Sequence, residues 1–399
     1  MEKYKIALCG TYFMESVGDS LLFECVKYLY QYASEKKKLD VEFTLVDLNG
    51  IKSFDELKRY TLKWFAKKIP QKLYKIFTGE KNYNISEDPK YYLEAFSTCD
   101  LVVVLGGGLF KYGVNRDYTK VFECINNAAN DIGIPVVYNA VGVEGPHCKG
   151  TPEFEAMKKA FKNGVRIFSV RDRYDVAQAY FDDTNIDYRL VGDTGVFVDE
   201  AFKAKGKNEG LIGVNPVAYK HFKPYFPNVD KDTIFDIWMG ILEELLSSGY
   251  KILLFTNGDL NDAEFANELY QSLKKRGFSL QIAKAKNANE MVENISRCKI
   301  VIASRLHTCI SAYSLDIPAV GLAWNNKLLY WSENIGAESM FFDYDHFNKV
   351  EILGAFKKID DGFNYDEVKR KWLENSLIKL ADDAVEMMIE NSKHSQVDL

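Results

Sequence analysis

The stretch Cys298–Lys327, CKIVIASRLHTCISAYSLDIPAVGLAWNNK, constrains this chain more than any other. Lys299 to Ala303 is a short apolar run rich in β-branched residues, the mark of a buried parallel strand. Leu306, Cys309, Ile310 and Tyr313 then recur at helical spacing, with Ser304 placed to cap that helix. Ile317-Pro318 stops the helix and opens a second apolar strand. The unit is β-α-β, so its two strands belong to a parallel sheet. Arg305 and His307 fall just past the first strand, in the helix's first turn. Free N–H groups and the helix dipole favour negative charge there, and arginine adds a planar fork suited to phosphate or carboxylate. On position alone, a solvated arginine and a structural histidine remain the competing reading.

The same alternation runs along the whole chain. Strands are predicted at residues 4–9, 43–48, 101–105, 135–140, 166–170 and 188–191, with helices between them. Residues 53–77 read as helical, interrupted at Pro70. Gly106-Gly107-Gly108 and the segment from Gly142 to His147 read as loops at strand ends, and Arg171-Asp172 follows its strand directly. Residues 199–210, DEAFKAKGKNEG, are charged and lack an apolar period, as an inter-domain linker would. Beyond them come strands at 211–214, 251–255 and 279–283, then the opening unit and a helical C-terminus. The predicted fold class is α/β, with two doubly wound Rossmann-like domains and ligand sites at strand carboxyl ends facing a cleft. The expected domains are 1–198, the linker 199–210, 211–345, and C-terminal helices over 346–399.

With 399 residues the chain exceeds one ordinary core. A net charge of −6 argues against a general nucleic-acid binder. Seven cysteines without C-x-x-C spacing read as buried thiols of a reducing compartment, and no apolar stretch approaches a membrane span. The expected location is the cytoplasm. His221 and His346 read as ordinary, and no His/Cys/Asp cluster shows metal spacing in the sequence.

Taken in order, these motifs resemble those of the polysaccharide pyruvyl transferases. The resemblance rests on Gly18-Asp19, Val104 to Gly108, Gly142 to Pro146, Ser169 to Asp172, Ser304-Arg305-Leu306-His307, and Ile317-Pro318 leading to Lys327. Ser20, Glu144 and Trp324-Asn325-Asn326 depart from the family pattern. The resemblance implies a GT-B-like pair of domains and transfer of a pyruvyl group from phosphoenolpyruvate to a saccharide in cell-surface polysaccharide biosynthesis. It implies a donor site lined by Arg305, Leu306 and His307, with Arg171 opposite. Asp172, Glu144 and Asp19 are the candidates for acid and base. Ser304, Gly106, Gly107, Gly108, His147, Asn325 and Lys327 are the further substrate-binding candidates. Neither a cofactor nor a metal is required by that chemistry.

Two rivals share the architecture: a GT-B-type nucleotide-sugar glycosyltransferase, and a non-catalytic saccharide-binding relative. One feature belongs to none of the three. Leu57 to Phe77 carries Lys58, Arg59, Lys63, Lys67, Lys68, Lys72 and Lys75 without one acidic residue. Its apolar and aromatic residues recur at helical spacing. The composition suits peripheral contact with an anionic membrane and hence a lipid-linked acceptor, against the competing reading of an ordinary helix with a solvated basic face.

Overall fold

A computed structural model describes residues 2–13, 17–50, 85–112 and 117–397 of the chain. The basic segment 57–77 therefore lies outside the described residues. The chain divides into two compact units, each discontinuous in sequence. The first comprises Met1–Met14, Tyr30–Leu190 and Lys379–Leu399, and the second Glu15–Leu29 and Val191–Ile378. Helix α1, Gly18–Lys36, and the terminal helix Glu367–Val397 each contribute to both. Residues 199–210 fall within the second unit and begin in a short helix, Val198–Phe202.

Among the described residues the first unit holds seven strands: β1 Lys3–Gly10, β2 Asp40–Asp47, β3 Leu101–Val104, β4 Gly107–Lys111, β5 Val136–Glu144, β6 Val165–Val170 and β7 Asp187–Leu190. They pair in parallel in the order β2-β1-β3-β5-β6-β7, with β4 added to the end of β5. Its core is aromatic: Phe110, Phe122, Tyr138, Phe161, Phe168 and Phe181 make successive ring contacts. Two segments expected to be loops are strand instead. Gly107–Lys111 is β4, and β5 runs through Gly142 to Glu144. What lengthens β5 is a bulge, which the sequence pattern hides. Its register against β6 shifts between Tyr138 and Val141, Ala140 takes a positive φ, and the Ser169 hydroxyl bridges Ala140 N–H and Tyr138 C=O at 2.8 Å each.

The second unit holds β8 Leu211–Asn215, β9 Lys251–Thr256, β10 Gln281–Lys284, β11 Cys298–Ala303, β12 Ala319–Leu322 and β13 Phe341–Phe342. All pair in parallel, in the order β10-β9-β8-β11-β12-β13. That is the Rossmann order, reversing between β8 and β11. β8 and β12 are buried at every position, as strands covered on both faces must be. The fold class read from the sequence holds: two Rossmann-like units and a helical C-terminus. All seven cysteines are free, and Cys9, Cys99 and Cys298 are buried. No described helix is long and apolar enough to cross a membrane.

Candidate active site

At the carboxyl ends of the paired strands β8 and β11, the polar side chains Asn215, Asn257, Ser304 and Thr308 are all buried. Asn215 ends β8, Asn257 follows β9, and Thr308 lies on the helix Leu306–Ser314. The Thr308 hydroxyl lies 3.0 Å from Asn215 Oδ1 and 3.1 Å from Asn257 Oδ1, and Asn215 Nδ2 donates to the Phe255 carbonyl at 2.9 Å. Ser304 N–H donates to the Asn215 carbonyl at 3.0 Å. This network holds the first turn of the helix at the reversal point.

Ser304 is not the helix cap. Arg305 occupies the N-cap position in extended conformation, and no side chain caps the turn. The Ser304 hydroxyl is instead buried with no hydrogen-bond partner among the described residues, and so is Asn325 Nδ2. A buried hydroxyl left unsatisfied is costly, and Ser304 directly precedes this uncapped helix start, the kind of place a polar ligand or water would fill. Asn325 Oδ1 accepts the Lys327 N–H at 3.2 Å, where the helix Lys327–Ile335 begins. The Trp324 indole N–H donates to the Ser304 carbonyl at 2.9 Å.

Arg305 is held from one side. Its Nε and Nη2 lie 2.7 and 2.6 Å from Asp262 Oδ2, and Nη2 lies 3.0 Å from His221 Nε2. Trp324 covers its face, 5.7 Å from ring centre to guanidinium carbon. The contacts of Arg305 among the described residues use Nε and Nη2, not Nη1. His221, Asp259 and Asp262 bring their ligand atoms within 4.8 Å of one another, and the cation at this cluster is the Arg305 guanidinium. Burial pushes the Asp259 carboxyl up, but His221 and Arg305 more than offset it and hold the group well below the usual carboxylate range.

The imidazole of His307 fills the space beside Gly18, the first residue of α1, so tightly that residue 18 has no room for a Cβ. Val17 N–H donates to the Asn257 carbonyl at 2.9 Å, and the Ser20 hydroxyl donates to Val17 C=O at 2.9 Å. The start of a second, 19-residue helix thus meets the start of Leu306–Ser314 at one imidazole. Asp19 sits one residue further along α1. Two helix starts, an arginine and a histidine are all groups that favour negative charge.

In the first unit, Arg171 and Asp172 follow β6 and are buried side by side, Nε to Oδ2 at 3.7 Å. Asp172 Oδ1 accepts the Val143 N–H at 2.8 Å. The Arg171 guanidinium lies against Gly142, where an added Cβ would come 2.7 Å from Nη2 and 2.9 Å from Nε. Gly106 similarly abuts the Ala140 carbonyl, and Gly107 takes φ 119° where Gly107 and Gly108 enter β4. Glu144 faces Lys111 at 3.6 Å. His147 engages the protein with both ring nitrogens: Nδ1 with the Tyr180 hydroxyl at 3.0 Å, Nε2 with the Glu144 and Phe110 carbonyls at 3.1 and 3.2 Å. Burial lowers its pKa.

Sequence reading missed Asp262, Asp259, Asn215, Asn257 and Thr308, and took His221 as ordinary. A signal was available for some of them. Asn257-Gly258-Asp259 follows a predicted strand in the second domain, and Asp259 caps the next helix through Asp262 N–H at 3.1 Å. Nothing local in the sequence ties His221 to Arg305.

The family described as polysaccharide pyruvyl transferase matches residues 17–326. No curated protein matches the chain. Among solved structures, the UDP-GlcNAc 2-epimerase of Methanocaldococcus jannaschii is similar at TM-score 0.57 and 13% identity, covering 97% of this chain and 99% of its own. The S. aureus MnaA–UDP structure gives TM-score 0.53 at 12% identity, covering 100% and 98%. The Neisseria meningitidis UDP-GlcNAc 2-epimerase bound to UDP-GlcNAc gives 0.53 at 11%, covering 97% and 100%. These likenesses establish the fold.

Proposed function

The chain belongs to the polysaccharide pyruvyl transferase family, and from that premise we propose that it transfers the pyruvyl group of phosphoenolpyruvate to two hydroxyls of a saccharide. The observation that carries the reading is the anion site at His307, where two helix starts converge beside Arg305. Phosphoenolpyruvate is small and heavily anionic, with a carboxylate beside a phosphate. Arg305 Nη1 and the uncapped helix start suit its phosphate, and His307 can assist phosphate departure when protonated.

The chemistry balances as follows. A proton adds to C3 of the donor, and C2 becomes cationic. One acceptor hydroxyl adds its oxygen to C2 and loses its proton. The bond from C2 to the phosphate oxygen breaks with its electron pair on phosphate, and a second hydroxyl closes the ketal. Of the two hydroxyl protons, one replaces that delivered to C3 and the other leaves with phosphate. Asp19 lies next to the residue that abuts His307, which makes it a candidate for one of these transfers; Asp172 and Glu144 are the others. Ser304, Leu306, Asn325 and Lys327 belong to the same end of the second unit and complete the proposed donor side.

The test is phosphate release from phosphoenolpyruvate against a panel of lipid-linked and nucleotide-linked saccharides. Release dependent on both substrates, with a pyruvate ketal in the product, supports the reading. No release with any acceptor, together with retention on an immobilised nucleotide, favours a nucleotide-sugar enzyme instead.

A further inference from the structure

His221 Nε2 faces one obligatory donor and two acceptors at once. Arg305 Nη2 is 3.0 Å away and can only donate, while Asp259 Oδ1 and Asp262 Oδ1 are each 3.4 Å away and can only accept as carboxylates. A neutral ring with its proton on Nδ1 satisfies Arg305 and leaves Nε2 facing the two carboxylates without a proton. A protonated ring satisfies a carboxylate and can no longer accept from Arg305. The contact to Arg305, 3.0 Å against 3.4 Å to either carboxylate, selects the Nδ1–H tautomer for the neutral ring, so the two protonation states commit one Nη2 N–H of Arg305 differently.

We propose that His221 is a positioning residue that acts through Arg305: on protonation it turns to Asp259 and Asp262 and frees one Nη2 N–H of the guanidinium for the donor anion. This rests on the reading that Arg305 binds that anion. Asp262, fully buried, keeps the guanidinium in place through Nε and the other Nη2 N–H in both states. The charge count agrees in direction. Arg305, Asp259 and Asp262 sum to one negative charge with the imidazole neutral, and to zero with it protonated. A multiply charged anion is thus repelled less, and gains one more N–H, in the protonated state.

The surroundings favour the protonated ring. Burial pulls the imidazole down and Arg305 does likewise, but Asp259 and Asp262 outweigh them and leave it above its ordinary value. The neighbouring Lys220 is engaged with Asn261 Oδ1 at 3.0 Å, and Trp324 presents an uncharged ring 5.6 Å away. Because the folded pKa is raised, protonation persists through and above the ordinary histidine range and is lost at higher pH. Anion affinity is therefore expected to be high at mildly acid pH and to fall as pH rises through the His221 pKa.

Sulfate is the probe, since it stays dianionic throughout. Its affinity, and that of phosphoenolpyruvate, would be measured by calorimetry between about pH 5.5 and 8.5 in buffers of different ionisation enthalpy. The expected result is roughly tenfold tighter sulfate binding at the acid end, with proton uptake on binding. His221→Gln should abolish most of this pH dependence, and His307→Ala should leave a His221-dependent part. In the wild-type protein, imidazole resonances assigned by their absence in His221→Gln should show one ring whose pKa rises when sulfate is added, which requires no folded variant beyond the assignment. Arg305-dependent binding with the same pH profile in His221→Gln, or a His221 ring that ignores sulfate, overturns this inference and leaves the donor site standing. Binding that is indifferent to Arg305→Lys overturns the donor-site reading itself, and this inference with it.

Discussion

Gly18 and His307 compete for one space: the imidazole Nδ1 occupies the position that a Cβ on residue 18 would need. The residues are 289 positions apart by their numbering, yet the start of α1 is shaped by the side chain it meets. Gly18→Ala therefore separates two effects. In a free helix the change would stabilise by up to about 1 kcal/mol. Here it must displace His307, and a misplacement near 1 Å can cost about 10²-fold in rate. The expected outcome is a strong loss of phosphate release with little loss of melting temperature. Full activity with a raised melting temperature would show that the contact has no functional weight.

Arg305→Lys keeps the charge but cannot hold Asp262 through Nε and Nη2 while presenting Nη1. Loss of a charge-assisted contact of about 1.5–3 kcal/mol corresponds to roughly 10- to 150-fold weaker donor binding. Titration calorimetry with phosphoenolpyruvate reads this directly. An unchanged dissociation constant in both Arg305→Lys and His307→Ala would remove both from the donor site.

Two glycines of the first unit should behave oppositely. Gly142→Ala places a Cβ 2.7 Å from Arg171 Nη2, so the guanidinium must move and turnover should fall. Gly133 has open space around it but sits at φ 82° as a helix C-cap. Gly133→Ala should cost about 1 kcal/mol of stability through that backbone strain and leave turnover unchanged. The comparison uses melting curves and phosphate release on both variants; equal loss of turnover would deny Arg171 a special role.

Asp383 of the terminal helix pairs with Arg189 on β7 at 2.6 Å. Burial raises its carboxyl pKa, but Arg189 and Lys379 outweigh burial, so the folded value lies below the ordinary one. A depressed carboxylate stabilises above its ordinary pKa and loses that contribution as pH falls through the folded value. Asp383→Asn should thus lower stability near neutral pH by about 1 kcal/mol or less, the pair being partly exposed. The deficit should vanish in acid. A deficit of constant size down to about pH 2 would assign the effect to packing.

The basic stretch Leu57–Phe77 carries an expectation from sequence alone. Wild-type protein should float with anionic and not neutral liposomes at low salt, each basic residue contributing about 1 kcal/mol near the surface. A variant with Lys63, Lys67, Lys68 and Lys72 changed to Glu should remain at the bottom of the gradient. Equal flotation of the two proteins leaves an ordinary solvated face.

The sequence by itself determined the parallel sheets, the β-α-β unit around β11, and the positions of Arg305, His307, Arg171 and Asp172 at strand ends. These are local matters: apolar runs, helical spacing and turn residues repeat within a few positions, so their period is visible in one dimension. It misjudged the cap at Ser304, because Arg305 takes that place when its side chain turns to Asp262. The bulge in β5 also escaped it, since an extra residue in a strand depends on the neighbouring strand and on the Ser169 hydroxyl. Only the tertiary structure decided that Gly18 must accommodate His307, that Gly142 must accommodate Arg171, and that His221 and Asp262 share one arginine. Each of those is a contact between chain segments remote in sequence. Its geometry is set by strand order and register, which no local spacing encodes.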